Sequence, residues 1–273
     1  MFSVKKSNMQ CTTLQEIKMT ALITGASSGL GCEFAKLFAS DGHDLILVAR
    51  RVDRLNELKK QIEEKYMTKV TILSQDLTLP DAAESVFSFT EQNKIQVDFL
   101  VNNAGFGDFG FFDSCDIAKQ QNMVMLNVMT LTKLARLYIA GMKERNFGRI
   151  LNVASIAAFM PGPKMSVYYA TKAYVRSFSE ALSVELKKTG VSVTILCPGP
   201  TKSEFWDKSE ADSSSIYKHM IFYKAEKVAA LGYRKMKRQK LFAIPGLMTN
   251  IIIFFAKIVP RSWARTIVYF VQR

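Results

Sequence analysis

Apolar positions along this chain fall in short unbroken runs separated by longer amphipathic stretches. Met19–Thr24, Leu45–Ala49, Val70–Leu73, Asp98–Asn102, Arg149–Ala154 and Val191–Cys197 each read as a strand. Leu241–Ile244 makes a seventh, ended by Pro245-Gly246. The runs are continuous rather than alternating, the pattern of parallel strands covered on both faces. Helix-length segments lie between them: Ser28–Ser40, Asp53–Tyr66, Asp81–Gln92, Asp116–Arg145, Val167–Lys188 and Ala225–Arg238. This alternation predicts an α/β fold, a doubly wound parallel seven-stranded sheet in one domain with right-handed crossovers. Ligands of such sheets bind beyond the carboxyl ends of the strands. Lys202–Tyr223 has no clear strand and is rich in Ser and Asp, so a substrate loop is expected over about 201–224.

Composition narrows the class. The chain has 273 residues, which suits one large α/β domain, and its 48% apolar content rules out global disorder. No run of 18 uninterrupted apolar residues is present, so no ordinary transmembrane helix is required. Cys11, Cys32, Cys115 and Cys197 are far apart, and only His43 and His219 accompany them. That spacing offers neither a disulfide framework nor a metal site, and a reducing, cytoplasmic compartment is the simplest reading. Met1–Ile17 carries Lys5 and Lys6 without an apolar block behind them. Residues 1–17 are therefore read as an N-terminal extension rather than a secretory signal.

Charge changes the picture at one end only. The net charge is +13, yet residues 1–217 hold 25 basic and 23 acidic residues, whereas 218–273 hold 12 basic and one acidic, Glu226. The tail 246–273 also contains the apolar blocks Ile251–Ala256 and Ile267–Val271. One or two basic amphipathic helices are expected there, Ser262 capping the last and Trp263, Ile267, Phe270 and Val271 forming its apolar face. Such helices fit peripheral contact with an anionic membrane surface. An acidic carrier, a phosphorylated ligand, or a solvated basic helix with a dimer-packing tail are the alternatives. Aliphatic and Phe-rich blocks argue against nucleic acid.

Candidate chemistry begins with Thr24-Gly25-Ala26-Ser27-Ser28-Gly29-Leu30-Gly31, directly after the first strand and opening a helix. Gly25 permits the tight turn, Gly29 lets the backbone approach a pyrophosphate, and Gly31 allows close packing of the helix. Free N–H groups and the helix dipole favour the phosphates. The second strand ends in Val48-Ala49-Arg50-Arg51, with no carboxylate before Asp53. Guanidinium forks suit a phosphate, so NADP(H) is expected, with Arg50 and also Arg51 on the 2′-phosphate.

The glycine turn, Asn102-Asn103-Ala104-Gly105, Ser155, Tyr168-x-x-x-Lys172 and Pro198-Gly199 stand in the order found in the short-chain dehydrogenase/reductase family. The resemblance covers residues 18–245 and implies a Rossmann domain. More weakly, the chain with its Pro245-Gly246-Leu247 segment is similar to general bacterial and membrane-associated reductases. The residues make chemical sense independently. Tyr168 and Lys172 are four apart and share a helix face. A free phenol titrates near ~10, and a neighbouring ammonium favours the phenolate. Tyr168 then exchanges the proton while the Ser155 hydroxyl polarises a carbonyl oxygen, with no metal needed. Tyr169, also near Lys172, reads as packing or pocket wall.

The resemblance implies further roles. Lys172 would hold the nicotinamide ribose, and Asn127 would extend a proton relay to Lys172. Ser27, Ser28 and Leu30 of the turn would meet the cofactor. Asp76 and Leu77 would cradle the adenine. Asn102, Ala104 and Gly105 would pass over the adenosine ribose and brace the sheet. Pro198, Gly199 and Ser203 would lie at the nicotinamide carboxamide. Family members commonly pair through their long helices, so a homo-oligomer is expected.

Phe106, Phe109, Phe111, Phe112, Phe159, Met160, Phe205 and Trp206 suggest apolar pocket walls and a small lipophilic carbonyl or alcohol substrate. The expected activity is an NADP(H)-dependent ketone or aldehyde reductase (alcohol dehydrogenase in reverse). The alternatives are a 3-oxoacyl thioester reductase of lipid metabolism and a non-catalytic NADP-sensing binding protein.

Overall fold

A computed structural model of the chain describes residues 18–202, 204–205 and 222–271. The chain enters through β1 (Thr20–Thr24), α1 (Gly29–Ser40), β2 (Asp44–Ala49), α2 (Val52–Lys65), β3 (Val70–Ser74), α3 (Ala82–Gln92) and β4 (Phe99–Asn102). The crossover to β5 (Gly148–Val153) is a long helix in three parts: α4 (Ile117–Val124), a π-helical turn (Met125–Thr130) and α5 (Leu131–Glu144). A 3₁₀ turn (Ile156–Phe159), α6 (Ser166–Glu185) and β6 (Val191–Leu196) follow. The short strands β7 (Thr201–Lys202) and β8 (Tyr223–Lys224) pair in parallel at either end of the expected excursion, where the sequence shows no strand pattern. Then come α7 (Ala225–Lys237), β9 (Phe242–Ala243), α8 (Leu247–Ile258) and α9 (Arg261–Val271).

The main sheet has the order β3-β2-β1-β4-β5-β6-β9 and all its pairings are parallel. Strand order reverses between β1 and β4, so the loops after those two strands part and leave a crevice at the sheet's carboxyl edge. The expected seven-stranded doubly wound domain is therefore what the chain forms.

Continuous apolar strands arise because successive side chains enter different cores. Ala21 and Ile23 pack beneath α1, α2 and α7, with Phe34, Phe38, Leu55 and Val228. Leu22 points the other way and joins Leu134, Tyr138 and Leu182 from α5 and α6. Ile117–Glu144 is long and apolar enough in composition to cross a membrane. Its apolar stripe, Leu131, Leu134, Ala135, Tyr138 and Met142, is instead buried as a crossover helix of this sheet. Beyond β9, Gly246 turns the chain with φ +80°, and a β-carbon there would overlap the Tyr223 hydroxyl, so the tail leaves the sheet at this point. Two tail helices follow as expected, but Ser262 lies inside α9 rather than capping it. The first backbone bonds run from Trp263 and Ala264 to the Pro260 carbonyl, at 2.9 and 3.0 Å.

Candidate active site

Residues of the glycine turn, the ends of β2, β3, β4, β5 and β6, and the start of α6 line one cleft of about 650 Å³ at the sheet's carboxyl edge. Its floor is set by the turn after β1. Gly25 adopts φ +65° and Gly29 φ +53°, conformations that cost glycine little. The Gly25 and Ala26 amides donate to the Val48 carbonyl at 2.8 and 3.3 Å, which ties the turn to β2. A β-carbon on Gly31 would lie 2.2 Å from the Gly25 carbonyl oxygen. Gly31 therefore does not face the cleft; it lets α1 start close beneath the turn. Ser27, Ser28, Gly29 and Leu30 do face it.

At the end of β2 the basic residues divide their work. Arg51 donates from Nη2 to Ser27 Oγ at 3.1 Å and from Nη1 to Glu204 Oε2 at 2.8 Å. Arg54, one turn into α2, donates to the other oxygen of Glu204. A fork of two guanidinium groups thus already holds an anionic group next to the glycine turn. Glu204 titrates below the usual carboxylate range: burial pushes upward, but the bonds from Arg54 and Arg51 prevail. Arg50 is more exposed and leans toward Asp76, with Nη1 to Oδ2 at 3.7 Å. Asp76 Oδ1 accepts from the Thr78 amide at 3.0 Å and its hydroxyl at 2.8 Å. Asp76 and Leu77 both line the cleft.

The loop after β4 differs from expectation at one residue. Asn102 does not line the cleft. It is buried, and its amide donates to Asn152 Oδ1 at 2.9 Å across the β4–β5 pair. Side chains alternate along a strand, and Asn103 faces the cleft instead. Its Nδ2 donates to the Thr24 carbonyl at 2.9 Å and so joins β4 to the glycine turn. Ala104 and Gly105 line the cleft as expected.

Ser155, Tyr168 and Lys172 converge on the cleft from the end of β5 and the first turns of α6. Ser155 opens the 3₁₀ turn, and its Oγ accepts from the Ala157 amide at 3.1 Å. Burial pushes the Tyr168 phenol up to about 12, while a hydrogen bond with Ser155 pulls the other way. The expected lowering by Lys172 does not appear, and desolvation of the phenolate sets the direction. Lys172 Nζ donates to the Val153 carbonyl at 2.9 Å and lies 5.8 Å from the Tyr168 ring centroid. Burial lowers its titration to about 8, and the nearby Cys197 thiol works weakly upward.

Asn127 lies behind these groups, in the π-helical turn, almost wholly buried. Its Oδ1 accepts from the Phe106 amide at 3.2 Å, and its Nδ2 donates to the Phe106 carbonyl at 2.9 Å and to Thr171 Oγ1 at 3.1 Å. A β-carbon on Gly105 would come within 2.9 Å of Asn127 Oδ1 and 3.4 Å of Lys172 Nζ. Asn127 and Lys172 therefore meet around a bare backbone position. Pro198 and Gly199 line the cleft after β6, whereas Ser203 and Trp206 fall outside the described residues.

Several expected pocket walls lie elsewhere. Phe111 and Phe112 are exposed, at 55% and 62%, on a loop that follows no sheet or helix repeat. Phe109 packs beside the cluster of Met165 and Tyr168 without lining the cleft. Phe159 is turned under the Arg176 guanidinium, 4.2 Å from its ring centroid. Phe106, Met165, Tyr169 and Phe205 form the apolar wall, the Phe205 ring tilted against Tyr168 with centroids 5.2 Å apart. Met165 and Arg54 escaped the sequence reading. Arg54 could have been found by following Arg51 one helical turn onward.

Residues 19–214 match the short chain dehydrogenase family. The very-long-chain 3-oxoacyl-CoA reductase of Mus musculus is 31% identical over 183 residues, 65% of this chain and 58% of that enzyme. The chain thus matches less than two thirds of the length of such reductases. A short-chain dehydrogenase from Sphingobium yanoikuyae, solved in complex with NADPH, superposes with a TM-score of 0.78 at 32% identity, covering 84% of this chain and 88% of that one. The bulky-bulky ketone specific alcohol dehydrogenase from Comamonas testosteroni gives a TM-score of 0.74 at 30% identity, covering 84% and 86%.

Proposed function

The chain belongs to the short-chain dehydrogenase family, and from that footing we propose that it is an NADP(H)-dependent oxidoreductase interconverting a lipophilic ketone or aldehyde and its alcohol. The observation that carries this reading is the meeting of Ser155, Tyr168 and Lys172 in the same cleft as the glycine turn.

The cleft fits a dinucleotide with a 2′-phosphate. Its glycine turn leaves room for a pyrophosphate, and Arg51 and Arg54 already grip a carboxylate where that phosphate would sit. A nicotinamide bound there would supply or accept the hydride. Ser155 Oγ donates a hydrogen bond to the substrate carbonyl oxygen and orients it. Tyr168, protonated at neutral pH like any phenol, delivers its proton to that oxygen as negative charge develops. Lys172, fixed on the Val153 carbonyl, presents its remaining N–H bonds to the cleft. Asn127 holds the Phe106 backbone and so keeps Gly105 close to Lys172.

Phe106, Met165, Tyr169 and Phe205 favour an apolar substrate. Exposed Val124, Met129, Tyr174 and Val184 on the crossover helices favour pairing with a second copy. Free thiols at Cys32, Cys115 and Cys197 suit a reducing, cytoplasmic setting.

A second reading, a 3-oxoacyl thioester reductase of lipid metabolism, is favoured by the Mus musculus relative and by the basic tail. NADPH consumption across apolar ketones and 3-oxoacyl thioesters decides between them. Turnover on ketones supports the first reading; turnover confined to thioesters and weakened by salt supports the second. Tight NADPH binding without turnover on either overturns both and leaves an NADP-sensing protein.

A further inference from the structure

The two tail helices carry large apolar side chains on a face that the domain does not cover. A helix packed on a globular domain turns its apolar stripe inward and its polar residues out. In α8 the covered face is narrow, and its buried residues are Thr249 and Ile253. Thr249 is 2% exposed and donates toward the Tyr223 hydroxyl at 3.4 Å. Asn250 and Lys257 stay exposed, Asn250 bonded to the Gly246 carbonyl at 2.7 Å and Lys257 5.9 Å from the Phe159 ring centroid. Leu247, Ile251, Phe254, Phe255 and Ile258 are left facing outward, each at least 40% exposed. In α9 only Ala264 and Val268 are buried, and Trp263, Ile267 and Phe270 form an outer stripe at i, i+4, i+7. Of the 21 exposed large hydrophobics among the described residues, 11 lie in residues 247–271. That concentration marks a face meant to be covered.

Charge selects the cover. Lys257, Arg261 and Arg265 are exposed on these helices, and no acidic residue follows Glu226. A second copy docked two-fold on this face would set these cations near their own copies with no carboxylate to pair. An anionic lipid surface satisfies the apolar stripes and the cations together. Length fixes the mode. With 12 and 11 residues, each helix spans only ~15–18 Å, against ~30 Å for a bilayer core. We propose that α8 and α9 lie in the interface of an anionic bilayer, their outer apolar faces among the acyl chains and Lys257, Arg261 and Arg265 at the phosphates.

The cleft is next to this anchor. Thr249 Oγ1 would be 2.9 Å from a β-carbon on Gly199, which lines the cleft, and α8 packs on the 3₁₀ turn that follows Ser155. On the oxidoreductase reading, a lipophilic carbonyl would leave the bilayer close to the catalytic groups.

Sedimentation of the full chain with phosphatidylcholine vesicles, with and without phosphatidylglycerol, tests the proposal. The chain is expected to pellet with the anionic vesicles and to be released by salt. Phe254→Asn combined with Phe255→Asn and Ile258→Asn alters only exposed positions and is expected to abolish pelleting. Arg261→Glu with Arg265→Glu is expected to weaken it roughly tenfold or more, at about 1 kcal/mol per lost cation. Failure of the full chain to pellet overturns the proposal, as does pelleting of both variants like the parent. A dimer that the triple variant splits, without lipid binding by the parent, assigns the face to a second copy and overturns it too. The readout needs no turnover, so it stands apart from the test of the oxidoreductase reading.

Discussion

The amine of Lys172 is anchored 2.9 Å from the carbonyl oxygen of Val153, two residues before Ser155. One strand end therefore sets the position of two reactive side chains, one by covalent continuity and one by a hydrogen bond. The bond also holds the amine where water is scarce, and this has a measurable cost in the folded state.

Burial lowers Lys172 from its ordinary 10.5 to about 8. Between those values the unfolded chain binds more protons at this residue than the folded one, so its contribution makes stability rise with pH across that window. Below about 8 the penalty is fully present. The Tyr168 shift has the opposite sign and acts only from pH 10 to about 12. Urea unfolding of the cofactor-free protein at pH 7.5 and 9.5, compared with Lys172→Met, should show a rise in the parent beyond that in the variant. The full effect across the window is roughly 3–4 kcal/mol, of which about 2 falls between these two pH values. Equal slopes in the two proteins would place the amine in water.

Tyr168 and Tyr169 are neighbours with different surroundings. Ser155 acts on the Tyr168 phenol, pulling it down against burial. Tyr168→Phe should lower kcat by about 10²–10⁴ with little change in NADPH affinity. Tyr169→Phe should change KM more than kcat, since that ring lines the cleft. Steady-state kinetics on one ketone distinguishes the two, and the reverse pattern would reassign the proton donor.

The guanidinium fork on Glu204 makes cofactor choice testable from both sides. Arg51→Ala with Arg54→Ala should weaken NADPH binding by at least tenfold and leave NADH almost unchanged. Glu204→Gln removes the resident anion. Half-exposed ion pairs contribute up to ~1 kcal/mol, so this change should tighten NADPH by about threefold. Fluorescence titration with both nucleotides measures each effect. Weakening of NADPH by Glu204→Gln would mean that the carboxylate supports the site.

Gly31→Ala introduces a β-carbon 2.2 Å from the Gly25 carbonyl oxygen, a backbone atom that cannot step aside alone. The variant should lose ~1–3 kcal/mol of stability and bind NADPH weakly, because the turn moves with the helix. A urea midpoint and an NADPH titration equal to those of the parent would show that the turn adapts.

The sheet was legible because buried parallel strands must be apolar throughout, and the seven runs lie within two residues of the observed strands at each end. The glycine turn, Ser155, Tyr168 and Lys172 were legible because each answers to a spacing or a strand end. Other features leave no such mark. Asn102 closes β4 and Asn103 follows it, and which of the two faces the cleft is hard to read from the three apolar letters before them. Phe111 and Phe112 sit in a loop, where hydrophobicity carries no direction. In α8 and α9 the periodicity revealed apolar faces but not which face the domain would cover. That follows only from the packing of Thr249 and Ile253 in α8 and of Ala264 and Val268 in α9.

The wide turn at Met125–Thr130 makes one rod serve two masters. Ala118, Asn122 and Leu126 look into the cleft, whereas Leu131, Ala135 and Tyr138 are pressed on the sheet. Counted at 3.6 residues per turn, those two sets stand on nearly opposite sides of the rod. The surplus residue in the π turn takes up about 100° of that mismatch. Without it, either the cleft wall or the core contact would have to be abandoned, or the rod broken between them.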